Sequence, residues 1–135
     1  MEQTLAIIKP DAVRKKIVGS IISAIEEHDF TIVRIKTLKM AREEAALFYD
    51  LHRGKPFYER LVDFMSSGQI YVLLLERERA IEEWRWLMGV TDPAEAVFGS
   101  LRQRFGTSVQ QNSVHGSDSP ESARRELSFF FGGDQ

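Results

Sequence analysis

"IYVLLLE", Ile70 to Glu76, is the most apolar run in the chain, preceded by the breaker "SSGQ". It is strand-sized and far too short to span a bilayer. Apolar side chains at both parities mark a strand covered on both faces, so this segment reads as a central strand. Upstream, helical spacing runs through "REEAALFYDLH" (Arg42 to His52) and again from Phe57 to Met65, where Leu61, Phe64 and Met65 recur at three and four. Gly54 and Pro56 bend these two helices into a hairpin. Downstream, Ala80, Ile81, Trp84, Leu87 and Met88 form an apolar helical stripe that ends at Gly89.

Further out, "TLAIIKP" (Thr4 to Pro10) reads as a buried first strand ended by its proline. Val18, Ile21, Ile22 and Ile25 share a helical face that His28 and Asp29 close. In "TIVRIKTLK" (Thr31 to Lys39), Val33, Ile35 and Thr37 point one way and Arg34 and Lys36 the other, the pattern of a strand with one wetter face, although Ile32 and Leu38 share the charged parity. In "TDP", Asp92 is placed to cap a short helix with Pro93 in its first turn, and Ser119 and Pro120 do the same for a last helix stopped by Gly132. With "SVH" as a weak strand, the order is β-α-β-α-α-β-α-α-β-α. Split βαβ units of this kind predict an α/β (α+β) ferredoxin-like fold, with an antiparallel four-stranded sheet covered by helices.

The 135 residues fit one domain, 1–135, and 43% hydrophobic with 28% charged residues is a globular composition. No cysteine is present, which excludes disulfides and thiolate metal sites and suits a cytoplasmic protein. The acidic start "MEQTLAIIKPDAV" is no signal peptide, and no membrane partner is expected. A net charge of −2 gives no global attraction to nucleic acid, so nucleic acid is not an expected partner.

Several chemistries are excluded by motif. The only Gly-Lys pair, Gly54-Lys55, is followed by proline, so there is no P-loop; G-x-G-x-x-G and G-x-S-x-G are absent. His28, His52 and His115 are too far apart for a local metal motif, and no protein metal site is expected. His115 stands out because glycine, hydroxyls and a carboxylate follow it in "NSVHGSDSPES" (Asn112 to Ser122). Lys9, at the end of an apolar strand, and Arg85 and Arg102, near element ends, complete a set suited to phosphoryl transfer, where positioning and charge neutralisation do most of the work.

The segments "IIKPDAV", "GKPFYERLVDFMSSG", "RWLMGVTDPAEA", "GSLRQRFG" and "NSVHGSDSPESARREL" together resemble nucleoside diphosphate kinases, in the family's order and over essentially the whole chain. The resemblance implies an enzyme that moves the γ-phosphate of a nucleoside triphosphate to a nucleoside diphosphate by a ping-pong route. His115 matches the phosphorylated nucleophile of N-x-x-H-G-S-D-S. By the same resemblance Arg85 and Arg102 contact phosphates, Thr91 adds a hydroxyl, and Lys9 and Asn112 serve the ribose side, Lys9 also approaching the transferred group. Phe57 and Leu61 match the base site, and stacking there is blind to base identity. Glu126 matches the carboxylate that orients the histidine, Ser117 a hydroxyl beside that carboxylate, and Tyr49 a hydroxyl near the histidine. Mg²⁺ is implied as an ion held mainly by nucleotide phosphates.

Asp92, Phe98, Ser100 and Arg104 depart from the family's common residues. They bear on loop detail and assembly, and Asp92 places an added negative charge near Thr91 and Arg85. The intact set of Lys9, Arg85, Arg102, Asn112 and His115 speaks against a silent nucleotide-binding module, and an RNA-binding domain would need the missing aromatic signature. The family also implies a homo-oligomer. Trp86 and one ring of Phe129, Phe130 and Phe131 are candidates for subunit contact, while "FFFGGDQ" leaves no long arm to wrap a neighbour.

Overall fold

A computed structural model describes residues 1–132; the closing Gly133, Asp134 and Gln135 of "FFFGGDQ" lie outside the described residues. In chain order the elements are β1 (Glu2–Ile8), α1 (Pro10–Arg14), α2 (Val18–Glu27), β2 (Thr31–Leu38), α3 (Arg42–Phe48), α4 (Tyr58–Met65), β3 (Ile70–Arg77), α5 (Ala80–Met88), α6 (Leu101–Phe105), β4 (Val114–Gly116) and α7 (Pro120–Phe131). The strands form an antiparallel sheet in the order β2-β3-β1-β4, the ferredoxin-like arrangement expected. β3 is central, as its unbroken apolar run requires, and it pairs with β1 from Glu2↔Arg77 to Ile8↔Tyr71.

The sheet carries a core on each face. Leu5, Ile7, Val72 and Leu74 meet Phe48, Val62, Leu127 and Phe130 from α3, α4 and α7. Ala6, Ile8, Leu73 and Leu75 meet Ile21, Ile25, Trp84 and Met88 from α2 and α5. Alternate residues of one strand thus serve opposite cores, which is why β1 and β3 show no polar parity.

Three expectations are corrected. Pro10 does not merely end a strand; it occupies the first turn of α1, where its missing N–H leaves no helix bond unmade. The segment after "TDP" is not one short helix but a 3₁₀ turn over Pro93–Glu95 followed by the separate α6. In β2 the charged side is not the wetter one. A bulge between Ile32 and Arg34 sets Ile32 on the Ile35 face, opposite Leu75 and Leu73. Arg34 and Lys36 lie over the Phe131 ring at 5.4 and 5.2 Å, and Lys36 donates to the Phe130 carbonyl. Val33 and Ile35 remain 44% and 46% exposed at the sheet margin.

Of the three successive phenylalanines, Phe130 and Phe131 are buried, while Phe129 is half-buried at the edge of the core against Phe48, the one ring off the main stripe. Trp86 is 69% exposed and stacks on His28.

Candidate active site

β4 is a short strand, yet it fixes the position of His115. His115 pairs with Ile7 of β1 and so projects from the sheet face covered by α3 and α7. Its backbone carbonyl accepts from the Trp84 indole Nε1 at 3.1 Å on the opposite side. A Cβ on Gly116 would stand 2.5 Å from Trp84 Cδ1 and 2.7 Å from Met88 Cε, so the residue after the histidine has to be glycine for this contact to form.

The imidazole is framed by Phe48 and Tyr49, whose rings stand edge-on at 5.6 and 6.2 Å. Its Nε2 lies 3.1 Å from Glu126 Oε1, which also accepts from Ser117 Oγ at 2.9 Å. Burial alone would raise Glu126, but the bonds from His115 and Ser117 and the nearby Arg125 outweigh it and hold the carboxyl below its ordinary range. An ionised carboxylate only accepts, so Nε2 carries the proton and Nδ1 keeps the lone pair. Glu126 is presented by α7, whose start is fixed by reciprocal serines: Ser119 Oγ accepts from Ser122 N, and Ser122 Oγ accepts from Ser119 N and Asp118 N.

His115 opens into a cleft of about 1230 Å³ that also takes in Lys9, Tyr49, Phe57, Leu61, Arg85, Thr91, Arg102 and Asn112. Every expected site residue except Ser117 and Glu126 therefore lines one cavity, and those two stand directly behind the histidine. Lys9 Nζ donates to Asn112 Oδ1 at 2.9 Å, and Asn112 Nδ2 donates to the Thr91 carbonyl at 2.9 Å, so three distant segments are tied in one chain of bonds. Burial, helped by Arg102, lowers Lys9 to about 7, with Asp11 opposing. Arg102 spans the cleft floor, donating to the carbonyls of Gly89 and Val114 at 2.9 Å each. Its buried Nε has no hydrogen-bond partner among the described residues, and burial with the neighbouring Arg85 lowers the pKa of Arg102 to about 10. Arg85 pairs with Asp118 at 2.6 Å. The buried Tyr49 hydroxyl likewise has no hydrogen-bond partner among the described residues, and burial and Glu126 push its ionisation upward, so it remains a protonated donor on the ring that stands edge-on to the histidine. Burial, a neighbouring charge and orphaned donors thus converge on one cavity. A cavity of this size lined by apolar and cationic groups suits a polyanion with an aromatic head.

Phe57 is 41% exposed and in the cleft wall, not in the core. Asp92 caps as expected, accepting from Ala94 N at 3.0 Å. Phe98 is 91% exposed, and Arg104 lies over the Phe105 ring at 4.5 Å.

Sequence reasoning missed Asp118, His52, Arg60, Val109 and Gln110, all in the lining. Asp118 sits inside the quoted histidine motif, so its neighbourhood was available to inspection. His52 follows Tyr49 by three residues and its ring stacks on Tyr49 and tilts against Phe57 at 5.2 Å; Lys55 Nζ lies 3.2 Å from its Nδ1, and burial and Lys55 lower its pKa. Val109 comes from an irregular segment with no periodicity to reveal it. Among the described residues no group of three His, Cys, Asp or Glu could hold a metal ion, and no helix is long and apolar enough to cross a membrane.

Comparison with known proteins adds the following. A family description of nucleoside diphosphate kinase matches residues 2–135. A nucleoside diphosphate kinase of Pelobacter propionicus is 50% identical over 131 residues, covering 97% of this chain and 96% of that protein. One of Geobacter sulfurreducens is 50% identical with the same coverage. Among solved structures, the Aquifex aeolicus nucleoside diphosphate kinase superposes with a TM-score of 0.96 at 43% identity, covering 98% of this chain and 96% of that one. A halophilic nucleoside diphosphate kinase of Halobacterium salinarum in complex with CDP gives 0.94 at 33% identity, covering 99% and 88%.

Proposed function

The chain belongs to the nucleoside diphosphate kinase family and transfers the γ-phosphate of a nucleoside triphosphate to a nucleoside diphosphate, and we propose that it does so in two half-reactions through a phosphohistidine on His115. The observation that carries this reading is the imidazole held at Nε2 by Glu126 inside a cleft supplied with Lys9, Arg85 and Arg102. In the first half, the Nδ1 lone pair attacks the γ-phosphorus, an N–P bond forms, and the bond to the bridging oxygen breaks with its electron pair leaving on the diphosphate. The proton stays on Nε2, and the imidazolium charge of the phosphorylated ring faces the Glu126 carboxylate. In the second half, a terminal oxygen of the acceptor diphosphate attacks the same phosphorus and the N–P electron pair returns to Nδ1. One carrier used twice gives ping-pong kinetics.

The cleft residues neutralise and place the charge that moves. Arg102 and Arg85 offer guanidinium forks to phosphate oxygens, with Arg85 exchanging Asp118 for the nucleotide. Lys9 and the Tyr49 hydroxyl stand beside the transferred group, Thr91 adds a hydroxyl, and Asn112 with Lys9 serves the ribose. Phe57 and Leu61 receive the base by stacking and apolar contact, which admits every base. Mg²⁺ fits as an ion carried by the nucleotide: among the described residues the cleft lining holds a single carboxylate, Asp118, and no cage of oxygen ligands. Such an ion would supply positive charge that offsets the phosphates, beside the charge that Arg85, Arg102 and Lys9 provide. The same reading makes the chain one kinase domain, working in the cytoplasm as a homo-oligomer.

Incubation with γ-labelled ATP tests the route. The wild-type protein is expected to retain acid-labile, alkali-stable label, and His115→Ala to fold, bind nucleotide and take none. Full turnover by purified His115→Ala would remove the histidine from the mechanism.

A further inference from the structure

The cleft contains a cation that neither the phosphate site nor the fold employs. Arg60 lies in the first turn of α4, three residues after Phe57 and one before Leu61, and all three line the cavity. Another lining cation, Arg85, is engaged with Asp118, and the lining residue His52 has Lys55 beside it. The exposed Arg60 side chain has no hydrogen-bond or ion-pair partner among the described residues. Its backbone is not loose. The Arg60 carbonyl accepts from Gln110 Nε2 at 2.6 Å, which clamps this turn of α4 to the facing segment that carries Val109. Arg60 therefore rises from a clamped turn of the cleft wall that also carries Phe57, with the segment of Val109 facing it.

Resting on the reading of this cleft as a nucleotide site with the base at Phe57 and Leu61, we infer that Arg60 reads the edge of the base and makes guanine the favoured one. Guanine presents O6 and N7 side by side, two acceptors that match a guanidinium fork. Adenine presents N7 beside an amino donor, which meets the N–H groups of arginine donor to donor; uracil and thymine offer the single acceptor O4, and cytosine an amino donor. Stacking on Phe57 still admits all bases, so Arg60 grades them without excluding any. Because the guanidinium is solvated, the gain lies at the low end for such a pair, roughly threefold to tenfold in kcat/KM for GDP over ADP.

The experiment starts from protein phosphorylated with labelled ATP and freed of nucleotide, and follows its discharge by GDP, IDP and ADP. Inosine keeps O6 and N7 but lacks the 2-amino group of guanine. The expected order is GDP equal to IDP and both ahead of ADP, with Arg60→Ala bringing the three together and Arg60→Gln, whose amide complements adenine N6 and N7, tilting the ratio toward ADP. An equal GDP to ADP ratio in wild type and Arg60→Ala, or IDP discharging like ADP, overturns the role of Arg60 alone. A wild-type protein that takes no label overturns the phosphohistidine route and this inference with it.

Discussion

Lys9 holds the most unusual balance of any side chain in the cleft. It is buried at the junction of β1 and α1, bonded to Asn112, and lowered to about 7 by burial and Arg102. On the proposed route a phosphate entering beside it would restore the charged form, and nucleotide binding above neutrality is then expected to draw a proton from solution. At pH 8, calorimetry in buffers of different ionisation heat is expected to show uptake of up to about one proton per nucleotide, fading toward pH 6 and missing in Lys9→Gln. Identical uptake by wild type and Lys9→Gln would remove Lys9 from the phosphate site. Without nucleotide the sign is fixed too: between about 7 and the unfolded value of 10.5 the unfolded chain holds the extra proton, so this group's contribution to stability grows as pH rises through that window. On the proposed route Glu126 would act at one remove, by keeping the proton on Nε2 and facing the charge that develops on the ring. Glu126→Gln keeps the shape and loses the charge; single-turnover labelling of His115 is expected to slow by about 100-fold with nucleotide affinity little changed. An unchanged labelling rate would leave Glu126 with a structural role only.

At the scale of elements, the site depends on contacts between segments far apart in sequence. Trp84 of α5 reaches the carbonyl of His115 in β4, and Gly116 leaves the space for it. Gly116→Ala is expected to destabilise the fold by about 1–3 kcal/mol, because a methyl group must displace a buried indole, and to lower activity further by shifting His115. Thermal unfolding alongside kcat checks both, and a variant with wild-type Tm would mean the indole moves freely. This contact also shows what sequence can and cannot convey. β1, β3 and the stripes of α2, α4 and α5 were legible because each carries a long apolar pattern imposed by its core. The three-residue β4 was barely visible and α1 was missed, because Pro10 serves equally to end a strand and to begin a helix. The β2 faces were misread because a bulge at Val33 resets the parity, and nothing local marks it. His115 and its partners were legible through the spacing of the family motifs. Arg60 and His52 were not, since an exposed charged residue looks the same on an idle surface and in a cleft wall.

At the scale of the whole molecule, the sheet has one long edge left open. β2 pairs with β3 along one side, and along the other it meets no strand among the described residues. At this margin Val33 and Ile35 are nearly half exposed, while Arg34 and Lys36, which could have defended the edge by charge, are turned onto Phe131. Apolar, undefended edges of this kind are ordinarily covered in native proteins. A second copy meeting β2 against β2 about a two-fold axis would pair both edges and shield both sets of side chains in one self-complementary contact. Light scattering is therefore expected to give an even multiple of 15.5 kDa at micromolar concentration, whose value decides between dimer, tetramer and hexamer. Ile35→Lys, which puts a charge on the margin without entering either core, is expected to lower that multiple. A wild-type protein that stays at 15.5 kDa would refute the assembly, and an unaltered multiple in Ile35→Lys would move the contact away from β2.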